Sequence, residues 1–218
     1  MPMRLILLFL SATLAAFPQV LSVGVKGGVP LTDAFQANLT GNKNYFFNTK
    51  RYTVGPTVEL HLPFRLGVEV DALYKRLDYN STGGATFPNE ILSSRTTANS
   101  WEFPVLLKYR LFSGPVRPYL AGGAAFNYLS NLSQTTDLLV TVAPVHTITT
   151  SSRPSELANR FRPGVVMGGG VEVKALFLRV SPEVRYTHWG WPSFRELCCG
   201  ASFRSNDNQA EFLLGISF

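Results

Sequence analysis

Charge, cysteine and histidine are scarce in this chain of 218 residues: 16% of it is Asp, Glu, Lys or Arg, and it holds 2 Cys and 3 His. An average soluble domain carries about 25% charged residues, so this surface is poorly supplied for an all-water environment. Disorder is excluded as well, because 45% of the residues are hydrophobic and such a chain has ample apolar surface to bury. Past the first residues there is no run of about 18 apolar residues, which excludes a helical membrane span. Nor do apolar residues recur at helical spacing over any long window. The histidines, His61, His146 and His188, lie far apart with no pair at metal-ligand spacing, so neither a metal site nor a cofactor is expected.

What is present begins with a targeting pattern. A short basic start, Met1 to Arg4, precedes an apolar run from Leu5 to Phe17, shorter than the roughly 20 residues of a membrane helix and typical of a secretory signal. Residues 1–22 are therefore read as a signal peptide cut somewhere between 15 and 22, and 23–218 as one domain. Loss of Arg4 lowers the formal net charge from +6 to +5. Export also argues against nucleic acid as the partner of this basic chain.

The rest alternates with period two. In WEFPVLLKYRL, Trp101, Phe103, Val105, Leu107, Tyr109 and Leu111 share one face, and Glu102, Leu106, Lys108 and Arg110 the other. Phe64 to Arg76 repeats the arrangement, with Arg65, Glu69, Asp71 and Lys75 on its polar face. Eight such segments are predicted, around 22–31, 51–62, 64–77, 101–112, 116–128, 161–173, 175–188 and 208–218. Connections alternate between long and short, with tight turns at Leu62-Pro63, Ser113-Gly114-Pro115 and Lys174-Ala175. Even strand number with sorted loops is the plan of an all-β, eight-stranded antiparallel up-and-down transmembrane barrel.

Alternation alone does not say which face meets solvent. A soluble ligand-binding barrel turns its apolar face inward, a membrane barrel turns it to lipid. Three features favour lipid. The polar face is densely ionic with mixed sign, aromatics cluster at strand ends (Tyr52, Tyr74, Trp101, Tyr128, Phe161 and Tyr186 at one rim, Phe64, Tyr109 and Phe218 at the other), and the last strand places Phe212, Leu214, Ile216 and terminal Phe218 on one face. That terminus resembles the insertion signal of outer-membrane barrels. With the opening SVGVKGGVPLTDAF and the glycine-rich RPYLAGG and Gly164 to Gly170, the chain resembles the bacterial outer membrane β-barrel domain family, the small OmpA- or OmpX-like, porin-like proteins. The resemblance implies outer-membrane location and, as partners, outer-membrane lipids, lipopolysaccharide and the barrel-assembly machinery acting on the C-terminal strand. It implies an architecture and no catalytic set.

The expected interior is therefore a structural ionic network built from Arg65, Glu69, Asp71, Lys75, Glu102, Lys108, Arg110, Arg179, Glu183 and Arg185, because eight strands enclose just enough room for side chains. A narrow porin is the alternative. A rim enzyme acting on lipid A, with His188 and either Ser193 or Glu196 as a partial triad, is a third reading. Adjacent Cys198 and Cys199, in an exported loop, are candidates for a vicinal disulfide. The segment Leu129 to Arg160, apolar and Thr-rich from Leu138 to Thr150, is expected to protrude as a hairpin, and basic Asn42 to Arg51 to meet lipopolysaccharide phosphates.

Overall fold

The structure is a computed structural model that describes residues 20–38, 43–84, 90–140, 145–175, 177–196 and 202–218. The predicted signal peptide, apart from its last residues, and the Cys198-Cys199 pair lie outside the described residues.

Eight antiparallel barrel strands form the wall: β1 (Leu21–Pro30), β4 (Thr53–His61), β5 (Leu66–Asp71) continued by β6 (Leu73–Gly84), β7 (Glu90–Arg110), β8 (Val116–Val140), β10 (Phe161–Ala175), β11 (Leu178–Trp189) and β14 (Asn208–Ser217). Each pairs with the next, and β14 pairs with β1 to close the sheet. Closure carries a stagger. The chain of registered partners Leu21, Leu60, Val68, Leu107, Gly122, Met167, Tyr186 and Ala210 returns to Leu31, whose N–H binds the Ala210 carbonyl. Leu31 lies ten residues above the start, and such a stagger tilts the strands by roughly 35–45°.

The break between β5 and β6 has a local cause. Ala72 donates to the Pro56 carbonyl at 3.0 Å, but Pro56 has no N–H to return the bond. Register with β7 is unchanged across the break, Val70 facing Val105 and Leu73 facing Glu102, so the two pieces serve as one barrel strand.

Outward positions are apolar over the lower wall. On β7 the outward residues run from Trp101 to Tyr109, and eight residues at about 3.3 Å each, tilted, span roughly 20 Å, close to the ~25 Å apolar band of outer-membrane barrels. An aromatic row bounds it above: Tyr74, Trp101, Tyr128 and Phe161 are successive lateral partners. Phe64, Phe112, Phe177 and Phe218 stand exposed at the other end, by the short turns. The turn between β4 and β5 holds Phe64 and Arg65 at φ 62° and 65°, the left-handed pair that matches hairpin twist.

The strands do not stop at the aromatic row, as the sequence reading expects. β6, β7 and β8 continue into Ser- and Thr-rich segments that lack the apolar alternation, and β9 (Val145–Ser151) folds back on β8 with Leu138 facing Thr147. The expected protruding hairpin is therefore present as β8–β9. Above the barrel, β3 (Lys43–Phe47) adds to β6, and β2 (Phe35–Asn38), β12 (Arg195–Glu196) and β13 (Ser202–Ser205) form a small second sheet. At the transition β8 is irregular: Asn131 takes φ 47°, a conformation Asn tolerates, and the β7–β8 register shifts. Inward positions on β8 consequently change from Ala125, Asn127 and Leu129 to Leu132 and Gln134.

Candidate functional site

Inside the barrel the alternation leaves charge nowhere to go but inward. Lys26, Lys75, Lys108, Arg110, Arg162 and Arg185 are buried there with Glu59, Glu69, Asp71, Glu102, Glu172, Glu183 and Glu211. An isolated charge at such depth costs several kcal/mol, and only close pairing offsets it.

The pairs form a column along the lumen. Near the outer end Lys75 bridges Glu102 at 2.9 Å and Glu211 at 3.0 Å. In the middle Arg185 reaches Glu183 at 2.8 Å, Asp71 at 2.9 Å and Glu69 at 3.3 Å. Lys26 joins the same carboxylates, contacting Glu69 and lying 3.1 Å from Glu183. Lys108 links Glu69 at 2.5 Å to Glu59 at 3.5 Å, and its ammonium sits 4.5 Å above the Tyr119 ring. Tyr119 donates to Glu183 at 3.0 Å. At the short-turn end Arg110 binds Glu59 and, at 2.9 Å, Glu172. Two inward glycines make the room: a Cβ on Gly67 would stand 2.4 Å from the Glu59 carboxylate, and one on Gly170 2.7 Å from the Tyr119 hydroxyl.

Nine of the ten residues expected in this network stand in or beside it, and Arg65 does not. Arg65 is exposed in the β4–β5 turn and donates to the Leu111 carbonyl at 2.9 Å; its left-handed backbone takes it out of the strand alternation that would have turned it inward. Arg179 is half-buried at the mouth, where it donates to Ser22 Oγ at 3.4 Å and to His61 Nε2. Lys26, Glu59, Glu172 and Glu211 complete the column, and Arg162 lies over the Trp189 ring at 4.4 Å.

Folding brings together what chain spacing kept apart. His61, Glu59 and Glu172 each offer a ligand atom within 4.8 Å of the others, the combination that the scattered histidines did not suggest. Guanidinium groups already fill the position a metal would take: Arg110 binds both carboxylates and lies 3.2 Å from His61 Nε2, which Arg179 also meets. The residues present therefore do not suit a metal. His146 pairs instead with Asp137 at 2.6 Å on the exposed β8–β9 ribbon.

Over the outer mouth sits a different interior. Phe35, Tyr45, Tyr79, Phe194 and Phe203 are buried with Leu77, Leu129 and Leu132. Tyr45 and Phe203 stack at 4.3 Å, and Phe203 meets Tyr79 at 4.8 Å. Glu156 pins this cap, accepting from Lys43 and from Gln134 at 3.0 Å each. Burial pushes its carboxyl up, but the bond from Lys43 and the Lys43 charge outweigh burial and hold it below the usual glutamate range. Beside the cap, a cavity of about 120 Å3 lies between Pro30, Phe35, Phe47, Leu77, Lys50 and Arg51, with Lys75 and Glu211 at its floor.

His188 and Ser193 are not brought together, and the side chain of Glu196 lies outside the described residues. His188 faces outward and shares Asn208 Oδ1 with Tyr186, at 2.8 and 2.7 Å, whereas Ser193 is buried in the cap. Phe212, Leu214, Ile216 and Phe218 all point outward and are exposed.

A solved structure shares this architecture. The outer membrane protein OprG from Pseudomonas aeruginosa aligns with a TM-score of 0.53 at 10% identity, over 91% of this chain and 93% of that one. Neisserial surface protein A aligns at 0.37 and 10% identity over 89% and 96%, and Ail, the attachment invasion locus protein of Yersinia pestis, at 0.32 and 10% over 91% and 97%. No curated protein is similar enough in sequence to register as a relative. Residues 16–190 match the outer membrane protein beta-barrel domain, and the chain belongs to that family of bacterial outer-membrane barrels.

Proposed function

We propose that this protein is a non-enzymatic outer-membrane anchor that presents a folded cap at the cell surface for recognition or envelope support. The supporting observation is the filled lumen. Two voids among the column residues measure about 10 Å3 each, one lined by Lys26, Glu59, Glu69, Lys108 and Glu172 and another by Lys75, Arg162 and Gln209, while larger cavities of about 120 and 200 Å3 lie beside the cap and at the short-turn mouth. Each of the two voids in the column holds one water at most, whereas a conducting pore needs a continuous wet path. With the sheet closed and every described outward face given to lipid or water, the cap is the surface left to meet a partner.

The narrow-channel reading predicts the opposite in one measurement. Purified protein in planar bilayers is expected to show no unitary current at neutral pH; steady conductance steps from the intact protein would overturn the anchor reading. The outward Phe212, Leu214, Ile216 and Phe218 suit handling by the barrel-assembly machinery, and Phe218→Ala is expected to reduce the folded fraction in the outer membrane, read as the heat-shifted band on a gel.

A further inference from the structure

The short-turn end of the barrel carries charge of one sign. The short connections and the strand ends beside them, 60–68, 109–119 and 173–181, hold Arg65, Arg110, Arg117, Lys174 and Arg179 and no Asp or Glu. One layer further in stand Glu59 and Glu172. Arg110 binds both, and Arg117 lies 3.7 Å from Glu172. Arg65, Lys174 and Arg179 have no acidic partner among the described residues: Arg65 donates to the Leu111 carbonyl, Arg179 to Ser22 and His61, and Lys174 faces Arg179 across the β10–β11 pair. The carboxylate of Phe218, which accepts from Ser22 at 2.6 Å, is the remaining anion at this end, and with it counted the cations still exceed the acids by two.

The excess lies around a cavity. The 200 Å3 space at this mouth is lined by His61, Arg65, Arg110, Phe112, Ser113 and Arg117, with room for a small oxyanion and several waters. Two of its arginines are fixed by their own turns, since Arg65 binds the Leu111 carbonyl at 2.9 Å and Arg117 Nε binds the Gly114 carbonyl at 2.7 Å. Each guanidinium keeps further N–H groups, in the planar fork that matches an oxyanion. His61 contributes as well. Arginine can only donate, so His61 Nε2 accepts from Arg110 and Arg179 and the ring proton stands on Nδ1. That N–H is buried with no partner, an unmet donor in the cavity wall. A cleft lined by one sign of charge within low-dielectric walls also focuses its field on the entering ion.

We propose that the short-turn mouth binds a small, doubly charged oxyanion of the phosphate class from the periplasm, with Arg65 and Arg117 clamping it and Lys174 and Arg179 supplying the field that draws it in. The ionic column above this mouth closes the lumen, so the site retains the ion rather than passing it on. It is independent of what the cap recognises.

The test is a calorimetric titration of the refolded full chain, in uncharged detergent at constant ionic strength, with inorganic phosphate. Saturable binding of one phosphate per chain is expected, and Arg65→Gln with Arg117→Gln should weaken it about thirtyfold, because two charge-assisted contacts are removed. Arg153→Gln with Arg160→Gln, at the other end of the barrel, should bind normally. A heat-dependent gel shift verifies that each variant is folded. If the double variant fails to assemble, Arg65→Gln alone replaces it, with a loss of about fivefold. No saturable binding by the wild-type protein overturns the proposal, as does undiminished binding by the folded variant or an equal loss in the Arg153/Arg160 control. Full displacement of phosphate by equimolar chloride overturns the requirement for double charge, and full displacement by equimolar phosphatidylglycerol added to the micelles overturns the soluble source.

Discussion

The lumen and the cap are two interiors built from the same strands with opposite chemistry. On β6 the inward side chains pass from Leu73 and Lys75 in the barrel to Leu77 and Tyr79 in the cap; on β7 they pass upward from Lys108 and Glu102 to Ala98. The backbone and the side of the sheet are unchanged; the outer solvent is not. Where lipid takes the apolar face, charged residues fill most of the inside beside an apolar patch of Leu106, Ala121, Ala125, Val166 and Trp189, and they must arrive with their counter-charges. Above the headgroups water takes the polar face, and the ordinary hydrophobic interior returns.

Breaking the lumen should cost the most. Arg185→Leu leaves Glu69, Asp71 and Glu183 with only Lys26 and Lys108, and about 3–5 kcal/mol of unfolding free energy should be lost, measured by urea titration of the refolded protein in detergent. Replacing Phe203 by Ala removes a ring that meets Tyr45, Tyr79 and Phe35, a loss of about 3 kcal/mol confined to the cap. Limited proteolysis should then cut the surface segments while the heat-shifted band persists. If the band vanishes too, the two interiors are one cooperative unit.

Acid should separate them further. The Glu156 carboxyl titrates below its unfolded value of about 4.3, so the stability it contributes is complete above that value and is lost as pH falls toward the lower folded value. Protease protection of the cap should therefore decline below about pH 4.3, and Glu156→Gln should lower protection at neutral pH and flatten this dependence. A pH-independent cap in the wild-type protein would show that Glu156 does not hold it. Crowding the column is a milder test: Gly67→Ala sets a Cβ against Glu59 and Arg110 and should cost about 1–3 kcal/mol. The smallest effect belongs to the aromatic row, where Tyr74→Phe removes the 3.0 Å bond to Asn99 and should cost about 1 kcal/mol or less in the same urea titration.

How far the sequence could be read follows from these interiors. The eight strands were legible because a lipid-facing strand must alternate over its whole height, as Trp101 to Tyr109 does. The upper halves of β6, β7 and β8 were not, because in water the extended sheet they form with β3 and β9 accepts Ser, Thr and Asn on its faces, and the irregularity at Asn131 breaks the parity that reading relies on. Most column residues were visible as polar-face positions. Arg65 was misplaced because a left-handed turn suspends alternation, and the meeting of Glu59 and His61 on β4 with Glu172 on β10 joins two strands that local spacing does not relate.

Sequence by itself determined the number of wall strands and the ends at which they turn, which follow from period-two patterning and turn residues, and the class of solvent on each face, which follows from the ionic face, the aromatic rims and the last strand. Only the tertiary structure decided which carboxylate meets which base and that four long connections condense into one aromatic-cored cap. Those facts depend on register and stagger around a closed sheet, which couple residues far apart in the chain and leave no local trace.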